Sequence, residues 1–286
     1  MSDKPKLAFY WCASCGGCEE SVVDLAEDIL MVAAMEDGSL FAAMINGAIR
    51  TSEQEEMARL IRRKSKVVIA YGSCAHMGGI PSLANEFTRE QIMEYMYQEA
   101  PSVVNPEKTR PMLSFKHNSQ NVTLPEIRNL VRTLDQVIDV DYYLPGCPPT
   151  PKLLKQAVLT LLSGEFPPKG TVLSPDEALC EECPRKESKP SDLSFTHFYR
   201  PHEILIDKTK CLLSQGVVCM GPSTRAGCEA LCISGNMPCS GCFGPTSRVR
   251  DQGAKMLSSL CSNISENDEA GIDKILDGIP DPVGTF

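Results

Sequence analysis

The segment Lys66-Val67-Val68-Ile69-Ala70-Tyr71-Gly72-Ser73-Cys74-Ala75-His76-Met77-Gly78-Gly79 joins an unbroken apolar run to a glycine-flanked cysteine. A β-branched run without polar alternation reads as a strand buried on both faces, the kind found in parallel sheets. The glycines end the strand and open a loop held by a rigid scaffold. The same arrangement recurs on both sides. Upstream, the strand Lys6–Trp11 leads into Cys15-Gly16-Gly17-Cys18. Downstream, the strand Val140–Leu144 leads into Pro145-Gly146-Cys147-Pro148-Pro149. Leu40–Ile45 supplies a further strand. Helical periods lie between the strands, at Ser21–Met35, Thr51–Lys64, Leu124–Val137 and Pro151–Ser163, the last ending at Gly164. Thr51 or Ser52 is the expected N-cap of the second helix, and Pro125 suits the start of the third. Strand–helix alternation predicts an α/β fold with a flavodoxin-like, doubly wound parallel sheet. Ligands of such sheets sit beyond the carboxyl ends of the strands. Three separated stretches of sequence therefore bring cysteines to one sheet edge.

Composition narrows the function. The chain has 286 residues, enough for one large domain or two ordinary ones, and 42% hydrophobic content supplies a core. A net charge of −9 argues against nucleic acid as a partner. Arg62-Arg63-Lys64 reads as a solvated helix end. No run of about 18 apolar residues occurs, so no membrane span is expected. Met1–Lys6 leads straight into a strand and leaves no room for a secretory signal, so a cytoplasmic location is expected. Thiols stay reduced there, and fourteen cysteines favour metal over disulfides.

Those cysteines fall into a scattered set (Cys12, Cys15, Cys18, Cys74, Cys147) and a dense set, Cys180, Cys183, Cys211, Cys219, Cys228, Cys232, Cys239 and Cys242, with Cys261 beyond. Twelve sort into three groups of four, as three cubane iron–sulfur clusters require. A C-x-x-C pair lets one turn bind adjacent irons. Cys12, Cys15 and Cys18 also spell a ferredoxin-like run, but Cys12 follows Trp11 at the strand end, where a buried structural thiol is ordinary. A redox dithiol at Cys15 and Cys18 would leave Cys74 and Cys147 unexplained. Zinc binds four thiolates but is redox-inert, so a zinc-stabilised interaction module is the alternative of another class. Spacing alone does not partition the eight cysteines of the dense set. Prolines interrupt residues 167–210, and Cys211–Pro245 is so rich in Gly, Pro and Cys that a structural metal is expected to replace a core. The last 25 residues read as an acidic peripheral tail.

Cys15-Gly-Gly-Cys18-Glu19-Glu20-Ser21, Gly72-Ser73-Cys74 with Gly78-Gly79-Ile80, and Gly146-Cys147-Pro148-Pro149 resemble the proximal-cluster motifs of nickel–iron hydrogenase small subunits. The stretch from Cys219 to Cys228 and the pair Cys239-Ser240-Gly241-Cys242 resemble that family's C-terminal motifs. The N-terminal segment is most similar to the gamma subunits of methanogen methyl-viologen-reducing hydrogenases, which do not use the deazaflavin coenzyme. The resemblance spans residues 5 to about 245. It implies a flavodoxin-like domain at 1–165 with the proximal cluster, and an irregular, cysteine-rich iron–sulfur domain at 166–286 with the medial and distal clusters.

The resemblance further implies three 4Fe–4S clusters. Cys15, Cys18, Cys74 and Cys147 would hold the proximal one, Cys228, Cys232, Cys239 and Cys242 the medial, and Cys180, Cys183, Cys211 and Cys219 the distal. Cys180 stands where many relatives have histidine, and Cys232 where many have proline; both departures favour lower potentials. Implied partners are a nickel–iron large subunit, a 2Fe–2S delta subunit and heterodisulfide reductase. The closest alternative is the small subunit of a deazaflavin-reducing hydrogenase; the cluster subunit of complex I is more distant. His76, His117, His197 and His202 are expected as hydrogen-bonding surface or loop residues. Glu19 and Glu20 are expected as first-turn helix acids, Met220 as packing and Cys261 as a helix-face thiol.

Overall fold

A computed structural model of the chain describes residues 6–15, 36–118, 120–266 and 268–279. It divides into two compact units, Met1–Leu173 and Ser174–Phe286.

The first unit is built on a five-stranded sheet. Its elements in chain order are β1 (Leu7–Trp11), β2 (Leu40–Asn46), β3 (Ile49–Thr51), α1 (Ser52–Lys64), β4 (Ser65–Tyr71), α2 (Gly72–Met77), α3 (Arg89–Glu94), β5 (Ser114–His117), β6 (Gln120–Thr123), β7 (Ile127–Arg132), β8 (Tyr142–Leu144), α4 (Pro151–Ser163) and β9 (Thr171–Val172). The sheet order is β1-β2-β4-β8-β9, and every pairing is parallel. Val68, Ile69 and Ala70 of β4 have no exposed surface, as a strand covered on both faces requires. The expected α/β class and parallel sheet are what the chain adopts. The strands follow one another in chain order, whereas flavodoxin itself has the order 2-1-3-4-5. The expected helix at Ser21–Met35 lies outside the described residues.

Thr51 caps α1, its side chain accepting from Gln54 N while the Gln54 side chain accepts from Thr51 N, a complete capping box. α4 begins at Pro151 and ends at Gly164 in the left-handed conformation, as read from sequence. The helix expected over Leu124–Val137 does not form. Ile127–Arg132 instead pairs antiparallel with β3, and Leu134–Gln136 makes a single 3₁₀ turn. Long-range partners decide this. Ser52 and Glu126 exchange hydrogen bonds at 2.9 and 3.0 Å. Asn85 grips both the N–H and the C=O of Val131, and Arg132 pairs with Glu55 at 2.7 Å. The apolar period does mark core residues, since Leu134 is fully buried and Val131 nearly so, but tertiary pairing overrides helix propensity.

Arg62 is not a solvated helix end. It donates to Asp141 Oδ2 at 2.6 Å and to the carbonyl of Ser65 at 2.7 Å. Asp141 is buried, also accepts from Val68 N at 2.8 Å, and pairs with Lys169 at 2.6 Å. One carboxylate thus ties α1 to β4 and to the segment before β9. Burial alone would raise its pKa, but the bonds from Lys169, Arg62 and the Val68 amide outweigh that and hold it below the usual range. A depressed folded-state pKa contributes stability above the unfolded value of about 3.9. That contribution is lost as pH falls through the folded value. Asp141→Asn should cost about 1–3 kcal/mol at neutral pH. Thermal unfolding across pH should show the gap closing below about pH 3.9; a gap constant with pH would refute the charge role.

The second unit holds more apolar core than its composition promised. Leu179, Phe195, Leu213, Val217 and Ile233 are buried together with Met256 and Leu260 of α6 (Gln252–Cys261); α5 is the short helix Leu231–Ser234. The expectation that a metal replaces the core is thereby corrected: Cys211–Pro245 itself buries Leu213, Val217 and Ile233, and chain on either side supplies the rest. The acidic tail is corrected too. α7 (Glu269–Asp277) buries Ile275, and Ile279 follows it into the same cluster. Among the described residues no helix is long and apolar enough to cross a membrane.

Candidate metal centres

The first centre is built at the carboxyl ends of β1, β4 and β8. Cys12 N donates to Asn46 O at 2.6 Å, and Ala13 and Ala48 exchange backbone bonds at 2.9 Å, so β1 is clamped to β2 until shortly before the exposed loop. Cys15 then stands exposed. Cys74 lies in the first turn of α2 and is buried. Cys147 is exposed beyond β8. Ser73 N donates to Gly146 O at 2.7 Å and joins the last two loops directly.

Glycines bring backbone close to these thiols. A Cβ at Gly79 (φ +48°) would lie 3.0 Å from Cys74 Sγ, and one at Gly146 (φ +132°) only 2.5 Å from Pro149 Cα. Burial raises the Cys74 pKa, and the neighbouring Cys147 and Cys15 raise it further, against backbone amides that lower it. Burial and then Cys15 do the same to Cys147. The three thiols are therefore within electrostatic reach of one another. Cys18, the fourth expected member, lies outside the described residues.

Cys12 does not join them. It is 7% exposed, packs in the apolar core of the sheet, and burial pushes its pKa up to about 12. Cys261 is the last residue of α6 and is exposed. Their surroundings, a buried strand-end thiol and an exposed helix thiol, are those read from the sequence. The His76 ring lies 4.7 Å from that of Tyr143 at a 37° tilt, and His197 lies 4.4 Å from Tyr199 at 48°.

The second unit carries the other eight thiols. Cys180 is pushed up to about 11 by burial; the Lys189 ammonium pulls it back, and Cys219, Cys183 and Cys211 each add to the rise. Cys211 and Cys183 act likewise on Cys219. These four are brought together. The others form two pairs: burial raises Cys228, with Glu182 and then Cys232 adding to the rise, and Cys219 and Cys242 add to the burial that takes Cys239 to about 12. Cys219 Sγ accepts from Cys239 N at 3.4 Å, which links the groups.

The donor sets fit iron–sulfur chemistry. Cys183 and Cys239 Sγ accept backbone N–H bonds from Arg185 and Gly241 at 3.4 Å, the kind of contact that tunes a cluster. A Cβ on Gly221 would lie 3.4 and 3.7 Å from the sulfurs of Cys180 and Cys219. Among the described residues no three His, Cys, Asp or Glu side chains converge on a point that would hold one lone ion; a cubane spreads its four thiolates over four irons. The buried thiols favour their protonated forms, and metal binding must release those protons.

Sequence reasoning missed Glu182. Its Oε1 accepts from Gly227 N at 3.0 Å and Cys228 N at 3.1 Å, pinning one cysteine loop to the turn of another. The sequence signal was an acid inside a C-x-x-C pair.

A family model described as NADH ubiquinone oxidoreductase, 20 Kd subunit, matches residues 15–161 and takes in all three strand-end loops. Fold, cysteines and that match together define an electron-transferring subunit of an oxidoreductase complex. The chain is 35% identical to the F420-non-reducing hydrogenase iron-sulfur subunit of Archaeoglobus profundus, over 96% of this chain and 92% of that one. It is 36% identical to the equivalent F420-non-reducing hydrogenase subunit of Methanothermobacter thermautotrophicus, over 100% and 94%. It is 35% identical to the equivalent vhu-type subunit of the F420-non-reducing hydrogenase of Methanocaldococcus jannaschii, over 90% and 88%. The chain belongs to this family of F420-non-reducing hydrogenase small subunits.

Proposed function

We propose that this subunit is a three-cluster electron wire. Cys15, Cys18, Cys74 and Cys147 hold a proximal 4Fe–4S cluster. Cys228, Cys232, Cys239 and Cys242 hold a medial one, and Cys180, Cys183, Cys211 and Cys219 a distal one. When bound, the clusters supply one-electron acceptance and release. The chain's own residues fix, bury and hydrogen-bond the ligands. The observation that carries this reading is the mutual electrostatic reach of Cys180, Cys183, Cys211 and Cys219, beside three thiols at one sheet edge.

Electrons enter from a nickel–iron large subunit, where hydrogen is split. Ile80, Leu83 and Phe87 stand exposed just beyond the Cys74 loop and offer an apolar surface to that partner. Electrons leave towards a 2Fe–2S delta subunit and heterodisulfide reductase, in the cytoplasm. Metal analysis of this subunit, isolated anaerobically from its partners, tests the reading. About twelve irons and no nickel are expected on this chain. About four irons, or stoichiometric zinc, would overturn it.

A further inference from the structure

Arg185 is 5% exposed and lies between cysteine loops of the second unit. Its backbone N–H donates to Cys183 Sγ at 3.4 Å. Its guanidinium donates to the carbonyl of Lys210, which precedes Cys211, at 3.3 Å. It also donates to the carbonyl of Ile233, which follows Cys232, at 3.0 Å and to Asn236 Oδ1 at 2.7 Å. Its own carbonyl accepts from Ser188 Oγ, and that hydroxyl accepts from Cys211 N, each at 2.7 Å. Segments bearing Cys183, Cys211 and Cys232 therefore meet at one residue.

All of the guanidinium's partners are neutral, and among the described residues no carboxylate pairs with it. A buried cation without a counter-charge is costly. The same unit shows the ordinary solution at Arg225, which is equally buried but pairs with Asp176 at 2.9 Å. Carbonyl dipoles satisfy the hydrogen bonds of Arg185 but do not cancel its charge. Clusters on four thiolates carry net negative charge, and that charge helps set their potential.

We propose that Arg185 is the buried counter-charge of the two C-terminal cluster sites, a positioning residue that ties their cysteine loops together and raises their reduction potentials. A fixed cation favours the more negative, reduced state of a nearby site. The proposal rests on the three-cluster reading, and the experiment separates the two.

Iron is first counted in the wild-type subunit, separated anaerobically from its complex. A value near four rather than about twelve sinks the three-cluster reading whatever Arg185 does. Potentials of the C-terminal clusters are then read by EPR-monitored redox titration in Arg185→Met, Arg185→Lys and Asn236→Asp. Asn236→Asp leaves the guanidinium in place and sets a carboxylate beside it. Both Arg185→Met and Asn236→Asp should lower a C-terminal potential. The oxidised-to-reduced ratio at fixed potential should shift on the order of tenfold, about 59 mV for a one-electron couple. Arg185→Lys should stay near wild type, and the proximal signal should not move. Full iron with unshifted potentials in either neutralising variant overturns the proposal. If Arg185→Met sheds iron, Asn236→Asp decides by the same criterion. If both shed iron, Arg185→Lys decides: retained iron supports a charge role, and loss there too overturns it in favour of the guanidinium's shape.

Discussion

Cys147→Ser should stop electron flow from hydrogen to viologen in the assembled complex, whereas Cys12→Ser should leave it running. Both cysteines follow a strand of the same sheet, but their surroundings differ. Cys147 is exposed beyond β8, within electrostatic reach of Cys15 and Cys74. Its serine variant removes a metal–thiolate bond, so about four irons should be lost with the proximal cluster. Cys12 is packed in the core of the sheet, and its thiol is held protonated to about pH 12. A serine there costs roughly 1–3 kcal/mol if its hydroxyl finds no partner, with iron content unchanged. Iron analysis and hydrogen-to-viologen assays check both arms. If Cys12→Ser loses the proximal cluster while Cys74→Ser keeps it, the ferredoxin-like set Cys12, Cys15 and Cys18 is the better assignment.

The second large effect is expected from one methyl group. Gly146→Ala would set a Cβ 2.5 Å from Pro149 Cα and 2.7 Å from Pro148 O, at φ +132°. Those neighbours are backbone atoms and cannot swing aside, so the loop itself must move and carry Cys147 with it. Gly170 is the control. It too has positive φ, +86°, but a Cβ there meets nothing within 4 Å, so alanine should cost only the left-handed penalty of about 1–2 kcal/mol. Gly146→Ala should lose the proximal irons; Gly170→Ala should keep them with a slightly lower Tm. Equal iron content in the two variants would refute the steric account.

The first unit was legible where local signals and tertiary demands agree. β4, the capped α1 and α4 with its terminal Pro and Gly all form where the sequence places them. β7 was not legible. Its apolar period fits a helix, and the partners that draw it out, Ser52, Glu55 and Asn85, lie more than forty residues away. The second unit was harder for a related reason. Phe195, Val217 and Ile275 are too far apart in sequence to share a period, so no window shows that they pack together. The strand-end cysteines stood out because each follows an apolar strand of the same parallel sheet. Arg185 and Glu182 did not, because their meaning lies in which distant carbonyls and amides they reach.

The burial of Ile275 and Ile279 sets a timetable for biosynthesis. Chains leave the ribosome from the N-terminus at about 5–20 residues per second. All eight cysteines from Cys180 to Cys242 therefore emerge before the residues that seal the core beside them. During that interval the thiols are made but the unit has not closed. Any machinery that delivers iron and sulfide has its easiest access then, and a nascent chain stalled short of residue 279 would hold that door open.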